Sequence, residues 1–260
     1  MASNLIIEFG SCSDIGMVRQ ENQDSFGKFP EGNLDLSNDS GQLFVVADGM
    51  GGHEGGREAS QMAVQTIRDS YFGDSARSIP ERLEQALQKA NSDIYEFSTV
   101  HPRYMSMGTT CSALVLKNDR AYIGHVGDSR IYRITSSAIE QLTDDHSRVA
   151  ELHRRGVISK EEARYHPERS YLYRAVGVRP TVEVDLIEDV PINPGEYFLL
   201  CSDGLINHVE DSEFKRIVLG HEPQKACEAL VALANKNGGS DNITVIIVGV
   251  SESPDRKAAA

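Results

Sequence analysis

The chain has 260 residues and carries 26 Lys and Arg against 39 Asp and Glu, a formal charge of −13. Such a field disfavours nucleic acid and anionic membrane as partners, so any phosphate it binds must be held locally by a metal or a few arginines. With 40% apolar and 25% charged residues, it has the composition of a globular protein folded almost to its ends.

In chain order, the opening MASNLIIEFG lacks the basic and long apolar regions of a signal peptide, and no later run is long enough to span a bilayer. A cytoplasmic protein is expected. A β-branched, apolar run at 43–47 reads as a strand. Helical spacing follows at 57–71, with Ala59, Met62, Ala63 and Ile67 on one face, and at 79–97, with Leu83, Leu87, Ala90, Ile94 and Phe97. Strands are expected at 111–116, 121–126 and 130–134, and the pairs Asn118-Asp119 and Gly127-Asp128 predict hairpins between them. Residues 143–177 are polar, rich in Arg and His, and helical only in short pieces, the pattern of a surface subdomain or lid. Strands at 182–187 and 197–201 come next. A helix from Pro223 to Asn237 is opened by its proline and stopped by Gly238-Gly239. The strand at 243–248 closes the fold, and the polar, then alanine-only tail 251–260 stands outside it.

Helices cluster between groups of strands instead of alternating singly with them, which predicts an α+β class with antiparallel sheets covered by helix pairs. No repeat, linker or shift in composition divides the chain, so one domain over 1–250 is expected. Cys12, Cys111, Cys201 and Cys227 form no C-x-x-C pair and suggest neither a zinc site nor a redox motif. The last three sit among apolar neighbours and read as buried thiols.

Apolar strands repeatedly run into an aspartate: FVVAD at Asp48, HVGD at Asp128 and LLCSD at Asp203, with Asp241 just before ITVIIV. Singly, Asp48-Gly49 and Asp203-Gly204 are ordinary turn dipeptides. Jointly, turn chemistry would accept Asn or Ser equally and does not explain an acid each time. Carboxylates drawn together repel, and protonation or cations must relieve them. Oxygen-only ligands suit Mg²⁺ or Mn²⁺, and a pair of such ions would polarise a phosphoryl oxygen and acidify a bound water. The glycine-rich loop from Asp48 to Gly56, between strand and helix, lets backbone approach a ligand closely, although it has neither the P-loop nor the dinucleotide pattern. A tight packing turn is its other reading.

The segments SDIGMVRQENQDSF (13–26), FVVADGMGGHEGG (44–56), MGTTCSALVL (107–116), IGHVGDSRIYRI (123–134), LLCSDGL (199–205) and GGSDNITVIIV (238–248) resemble, in content and order, the PPM-type metal-dependent protein phosphatases, the type 2C family, in their compact bacterial form. The resemblance spans nearly the whole chain. It implies a four-layer αββα sandwich, two antiparallel sheets flanked by helix pairs, with a two-metal centre in a cleft at one end. It further implies a Ser/Thr phosphatase that uses a metal-activated water, with two or three Mg²⁺ or Mn²⁺ ions. Asp48 would bridge the metals, Asp203 and Asp241 would complete the first, the Gly49 carbonyl would ligate the second, and Asp24 would hold that ion's waters. Asp128 corresponds to an acid that helps bind a weaker third ion, Arg19 to the phosphate-binding arginine, and Asn242 to a residue orienting Asp241 by hydrogen bonding.

The resemblance also makes 143–177 a flap beside the cleft, whose Arg148, Arg154, Arg155, Arg164, Arg169 and Arg174 would meet phosphopeptide charge or serve as solvated surface. One departure matters for chemistry. Eukaryotic members often carry a histidine directly after Asp-Gly as general acid, and here Met50 stands there. His53, in the same loop, has a suitable ordinary pKa for that role, against the plainer reading of an exposed or helix-capping histidine. The expected partners are phosphoproteins made by Ser/Thr kinases, with no nucleic acid and no membrane, and a monomer is expected. Two other functions stay open: a binding module that has kept the fold and lost turnover, and a hydrolase of small phosphate esters.

Overall fold

The structure, a computed structural model, describes residues 5–32, 36–51 and 55–252. In chain order the strands are β1 (Leu5–Asp14), β2 (Asp24–Phe29), β3 (Gln42–Met50), β4 (Gly108–Thr109), β5 (Cys111–Lys117), β6 (Arg120–Val126), β7 (Arg130–Ile134), β8 (Ile139–Gln141), β9 (Asp185–Pro191), β10 (Tyr197–Cys201) and β11 (Ile243–Glu252). The helices are α1 (Gly55–Gly73), α2 (Ile79–Val100), α3 (Arg148–Arg154), α4 (Lys160–Tyr165), α5 (Asp203–Ile206), α6 (Asp211–Gly220) and α7 (Pro223–Lys236). One antiparallel sheet has the order β1-β11-β10-β7-β8, and the other has β2-β3-β5-β6-β9 with β4 beside β3.

Side-chain alternation along β3 shows how the layers form. Leu43, Val45 and Ala47 face α1 and α2 and pack with Ala59, Ala63, Ile67, Leu83 and Leu87. Phe44 and Val46 point the other way, into a core shared by both sheets with Leu114, Ile123, Phe198, Leu200 and Ile246. On the far side Leu199, Cys201, Val245 and Ile247 pack against Phe214, Leu230 and Ala234 of α6 and α7. The inner strands are therefore buried on both faces, which is why they read as continuous apolar runs. Each fully buried Leu, Ile, Val or Phe contributes roughly 1.5–3 kcal/mol. The result is the expected αββα stack, and no helix among the described residues is long and apolar enough to cross a membrane.

Two expectations change. Asn118, at φ 53°, does turn the chain from β5 into β6 as a hairpin. Gly127-Asp128 does not close a hairpin, because β6 and β7 belong to different sheets. The dipeptide is a crossing point at the end of the sandwich, and this puts Asp128 at the mouth between the sheets. The strand expected at 182–187 lies at Asp185–Pro191 instead, beginning where His125 of β6 pairs with Asp185. Just upstream, the carbonyls of Arg179 and Pro180 accept from the Asn91 side chain and take no part in a ladder.

Candidate metal centre

Antiparallel strands place alternate starts and ends at one edge, and there the acids meet. Asp24 opens β2 and pairs in register with Asp48 of β3. Asp128 lies between β6 and β7, Asp203 begins α5 directly after β10, and Asp241 precedes β11. Burial, with the fields of Asp24, Asp203, Asp128 and Asp241 added, pushes Asp48 well above the usual carboxylate range. Burial likewise raises Asp24 to about 7, against hydrogen bonds from Thr244 and Ser202. It raises Asp203 to about 6, with Asp241 adding to the effect, and lifts Asp128 well up, with Asp203 and Asp145 adding. Asp203 thus lies within the electrostatic reach of Asp48.

The surroundings hold these acids in place. The Asp48 N–H donates to Thr110 Oγ1 (2.9 Å), and its carbonyl accepts from the Thr110 N–H and from Thr109 Oγ1 (both 2.9 Å). Ser202 Oγ donates to Asp24 Oδ2 at 2.8 Å, and Asn207 Nδ2, one helical turn on, to Asp203 Oδ2 at 3.1 Å. Gly49 pairs with Thr109, and a Cβ there would lie 2.0 Å from the Gly56 carbonyl oxygen, so the strand-to-helix loop closes only with glycine at this position.

Arg19 stands half-exposed at the rim and donates from Nη2 to Asp241 Oδ2 at 2.7 Å. That bond, with the fields of Asp48 and Asp203 adding, raises the guanidinium above its ordinary value, placing it within reach of the same cluster. Asn242 meets Asp241 through its backbone. Its backbone N–H, not its side chain, contacts Asp241, at Oδ1 (2.9 Å). Its side chain accepts from the Gln23 N–H (2.9 Å) and donates to the carbonyls of Ile15 (3.0 Å) and Glu21 (2.9 Å), so it braces the loop that carries Arg19. An amide has both a donor and an acceptor for this, and a carboxylate would not. His53 lies outside the described residues, and Met50 has no proton to give.

The donor set fits hard divalent cations. Asp24 Oδ1 and Asp203 Oδ1 are buried with no hydrogen-bond partner, and each would carry a desolvation cost unless a cation or its water met it. Among the described residues, no group of three or more His, Cys, Asp or Glu is arranged as it stands to hold a metal ion. Carboxylate oxygens without His or Cys suit Mg²⁺ or Mn²⁺, which keep several waters, better than zinc. Beside Asp128 and Asp203 a cavity of about 290 Å³ runs under segment 143–177, lined among others by Arg130, Arg154, Arg164 and Arg169. The arginines of that segment are mostly engaged: Arg148 with Glu168, Arg154 with Asp144, Arg155 with Glu151, Arg164 with Glu210 and Arg174 with Glu183.

Sequence reasoning missed Thr110, Ser202 and Asn207. Only Asn207 left a readable sign, its i, i+4 spacing from Asp203.

Comparison with known proteins agrees with this fold. Residues 18–237 match the family Protein phosphatase 2C. The serine/threonine phosphatase stp of Listeria monocytogenes serotype 4b (strain F2365) is 39% identical over 241 residues, covering 91% of this chain and 93% of that protein. The crystal structure of the serine/threonine phosphatase Stp1 from Staphylococcus aureus superposes with a TM-score of 0.85 at 31% identity, covering 96% of this chain and 97% of that one. The catalytic domain of the serine threonine protein phosphatase PstP, solved in complex with two manganese ions, gives a TM-score of 0.81 at 29% identity, covering 95% and 100%. The chain belongs to the protein phosphatase 2C family.

Proposed function

We propose that this chain is a metal-dependent protein serine/threonine phosphatase whose centre is built on Asp48, Asp203 and Asp241, with Asp24, Asp128 and the Gly49 carbonyl completing the ligand set. The observation that carries the reading is the mutual field of acids from distant parts of the chain, together with the unpartnered oxygens of Asp24 and Asp203. When bound there, two Mg²⁺ or Mn²⁺ ions supply Lewis acidity towards the phosphoryl group and lower the pKa of water. Asp48 and Asp203, both raised by burial, have to be ionised to serve as ligands, so cation affinity rises with pH. Arg19 engages Asp241 through Nη2, which leaves its remaining N–H groups to pair with phosphate oxygens in a planar, bidentate fashion. Asn242 keeps the Arg19 loop in register with the acids. Ser202 fixes the orientation of Asp24, and Thr110 fixes the Asp48 backbone.

The substrates are phosphoproteins, and the enzyme opposes Ser/Thr kinases in the cytoplasm as a monomer. It is a single catalytic domain with residues 143–177 as its flap. The net charge of −13 supports a protein partner over a nucleic acid. The test is phosphate release from p-nitrophenyl phosphate and from a phosphothreonine peptide, with Mn²⁺, with chelator, and for Asp48→Asn. Metal-dependent turnover of both substrates is expected, with at least roughly a 10³-fold loss in the variant, because Asp48 would hold the cations that stabilise charge at the reacting centre. Activity on the aryl ester and on no phosphopeptide would favour a small-ester hydrolase, and no activity on either would favour a binding module.

A further inference from the structure

Beneath the flap, two buried histidines hold the residue that precedes Asp128. Gly127 has φ +116°, and a Cβ there would lie 2.6 Å from the Thr110 side chain, so its backbone is tightly confined. Its N–H donates to His146 Nδ1 at 3.0 Å. Its carbonyl accepts from the His146 N–H at 2.7 Å and lies 3.1 Å from His125 Nε2. Because Gly127 is a backbone donor, His146 Nδ1 must present its lone pair, and the proton must sit on Nε2. Nε2–H then donates to Asp185 Oδ2 at 2.9 Å. The Arg174 guanidinium, 3.1 Å from the same Nε2, cannot donate to a protonated nitrogen and is used on Asp185 Oδ1 and Glu183 instead. His146 is 2% exposed, and its carbonyl accepts from the Tyr173 N–H at 3.0 Å. One imidazole therefore touches the flap's entry, its exit next to Tyr173 and Arg174, the start of β9, and the Gly127-Asp128 crossing.

We propose that His146 is a positioning residue: through Nδ1 it sets the Gly127 peptide, and hence the Asp128 carboxylate, and through Nε2–H and Asp185 it sets the end of the flap. The two bonds serve different ends of the reaction. The first orders the centre, and the second orders the surface that meets a protein substrate. The inference rests on the phosphatase reading for its kinetics and on the hydrogen bonds alone for its structural part.

Asn and Gln separate the two bonds. In His146→Asn the side-chain oxygen occupies the place of Nδ1 and still accepts from Gly127, while Asp185 is out of reach. In His146→Gln the longer side chain reaches Asp185 and leaves the Gly127 N–H unpaired. In the metal-free protein, nitrogen NMR of the imidazole should show Nδ1 unprotonated and Nε2 protonated. Amide exchange at Gly127 should stay near wild type in His146→Asn and quicken roughly tenfold in His146→Gln, the loss of one buried hydrogen bond. With saturating Mn²⁺, His146→Gln should lower kcat on p-nitrophenyl phosphate by roughly the same factor, while His146→Asn should lower that kcat less and raise KM for a phosphothreonine peptide. If both variants lose kcat equally, or if neither changes Gly127 exchange, His146 is packing only and the proposal fails. A proton found on Nδ1 would also overturn it. If the wild type shows no metal-dependent turnover, the phosphatase reading falls, and the NMR and exchange results still decide the role of His146 at Gly127.

Discussion

Replacing Asp24 by Asn should make the metal-free protein more stable while stopping its chemistry. Burial raises the Asp24 carboxyl from 3.8 to about 7. The folded protein thus binds this proton more tightly than the unfolded chain does. Its contribution to stability is fully present below about 3.8 and is lost as pH rises through about 7. At pH 8 the ionised form is disfavoured by about three units, and at roughly 1.36 kcal/mol per unit this costs about 4 kcal/mol. Asp48 and Asp203 compete for the same protons, so neutralising one acid relieves part of that strain, about 2–4 kcal/mol. The amide keeps an oxygen for Ser202 and turns its NH₂ towards the acids. The assay is urea unfolding in chelator at pH 8 and at pH 5, with equal m-values required for the comparison. We expect the variant to gain about 2–4 kcal/mol at pH 8 and about 2 kcal/mol or less at pH 5, where wild-type Asp24 is still protonated. A variant no more stable than wild type at pH 8, or a gain that ignores pH, would refute the idea that these acids strain one another in a shared site.

Arg19→Lys should raise KM for phosphate esters roughly tenfold, and Arg19→Ala more, because an ammonium replaces two parallel N–H contacts with a point charge; steady-state kinetics on p-nitrophenyl phosphate read this directly. Arg130 is largely buried and clasps Asp145 from Nε and Nη2 (2.8 and 2.7 Å) while Nη1 donates to Tyr132. Arg130→Ala leaves Asp145 without its partner beside Asp128, and thermal or urea unfolding should show a loss of about 3–5 kcal/mol.

Much of the architecture was legible because the inner strands bury both faces. FVVAD and ITVIIV announce themselves by unbroken apolar content, and Ala59, Ala63 and Ile67 by helical spacing. The helix at Pro223–Lys236 was marked at both ends by its proline and by the glycines after it. Strand β1 was not read, since it is only partly buried and Gly10, Ser11 and Ser13 interrupt its alternation. Helix α6 was missed because its buried stripe is only Phe214, Ile217 and Val218. In the centre, the acids were visible as strand-end residues, whereas the crossing at Gly127-Asp128 was not: a turn dipeptide looks the same whether the next strand joins its neighbour or the opposite sheet. The work of Asn242 was equally hidden, because a side chain that binds the carbonyls of Ile15 and Glu21 leaves no local pattern. Cys111, Cys201 and Cys227 are buried thiols as expected, and Cys12 is half-buried.

The pairing of β1 with β11 along its whole length has a consequence for how the molecule comes into being. The earliest described strand finds its neighbour only after nearly all the intervening sequence has been synthesised, and Asp241 arrives with that neighbour. A chain still emerging from the ribosome therefore carries Asp24 and Asp48 before Asp241 exists. Until β11 takes its place between β1 and β10, their sheet is incomplete.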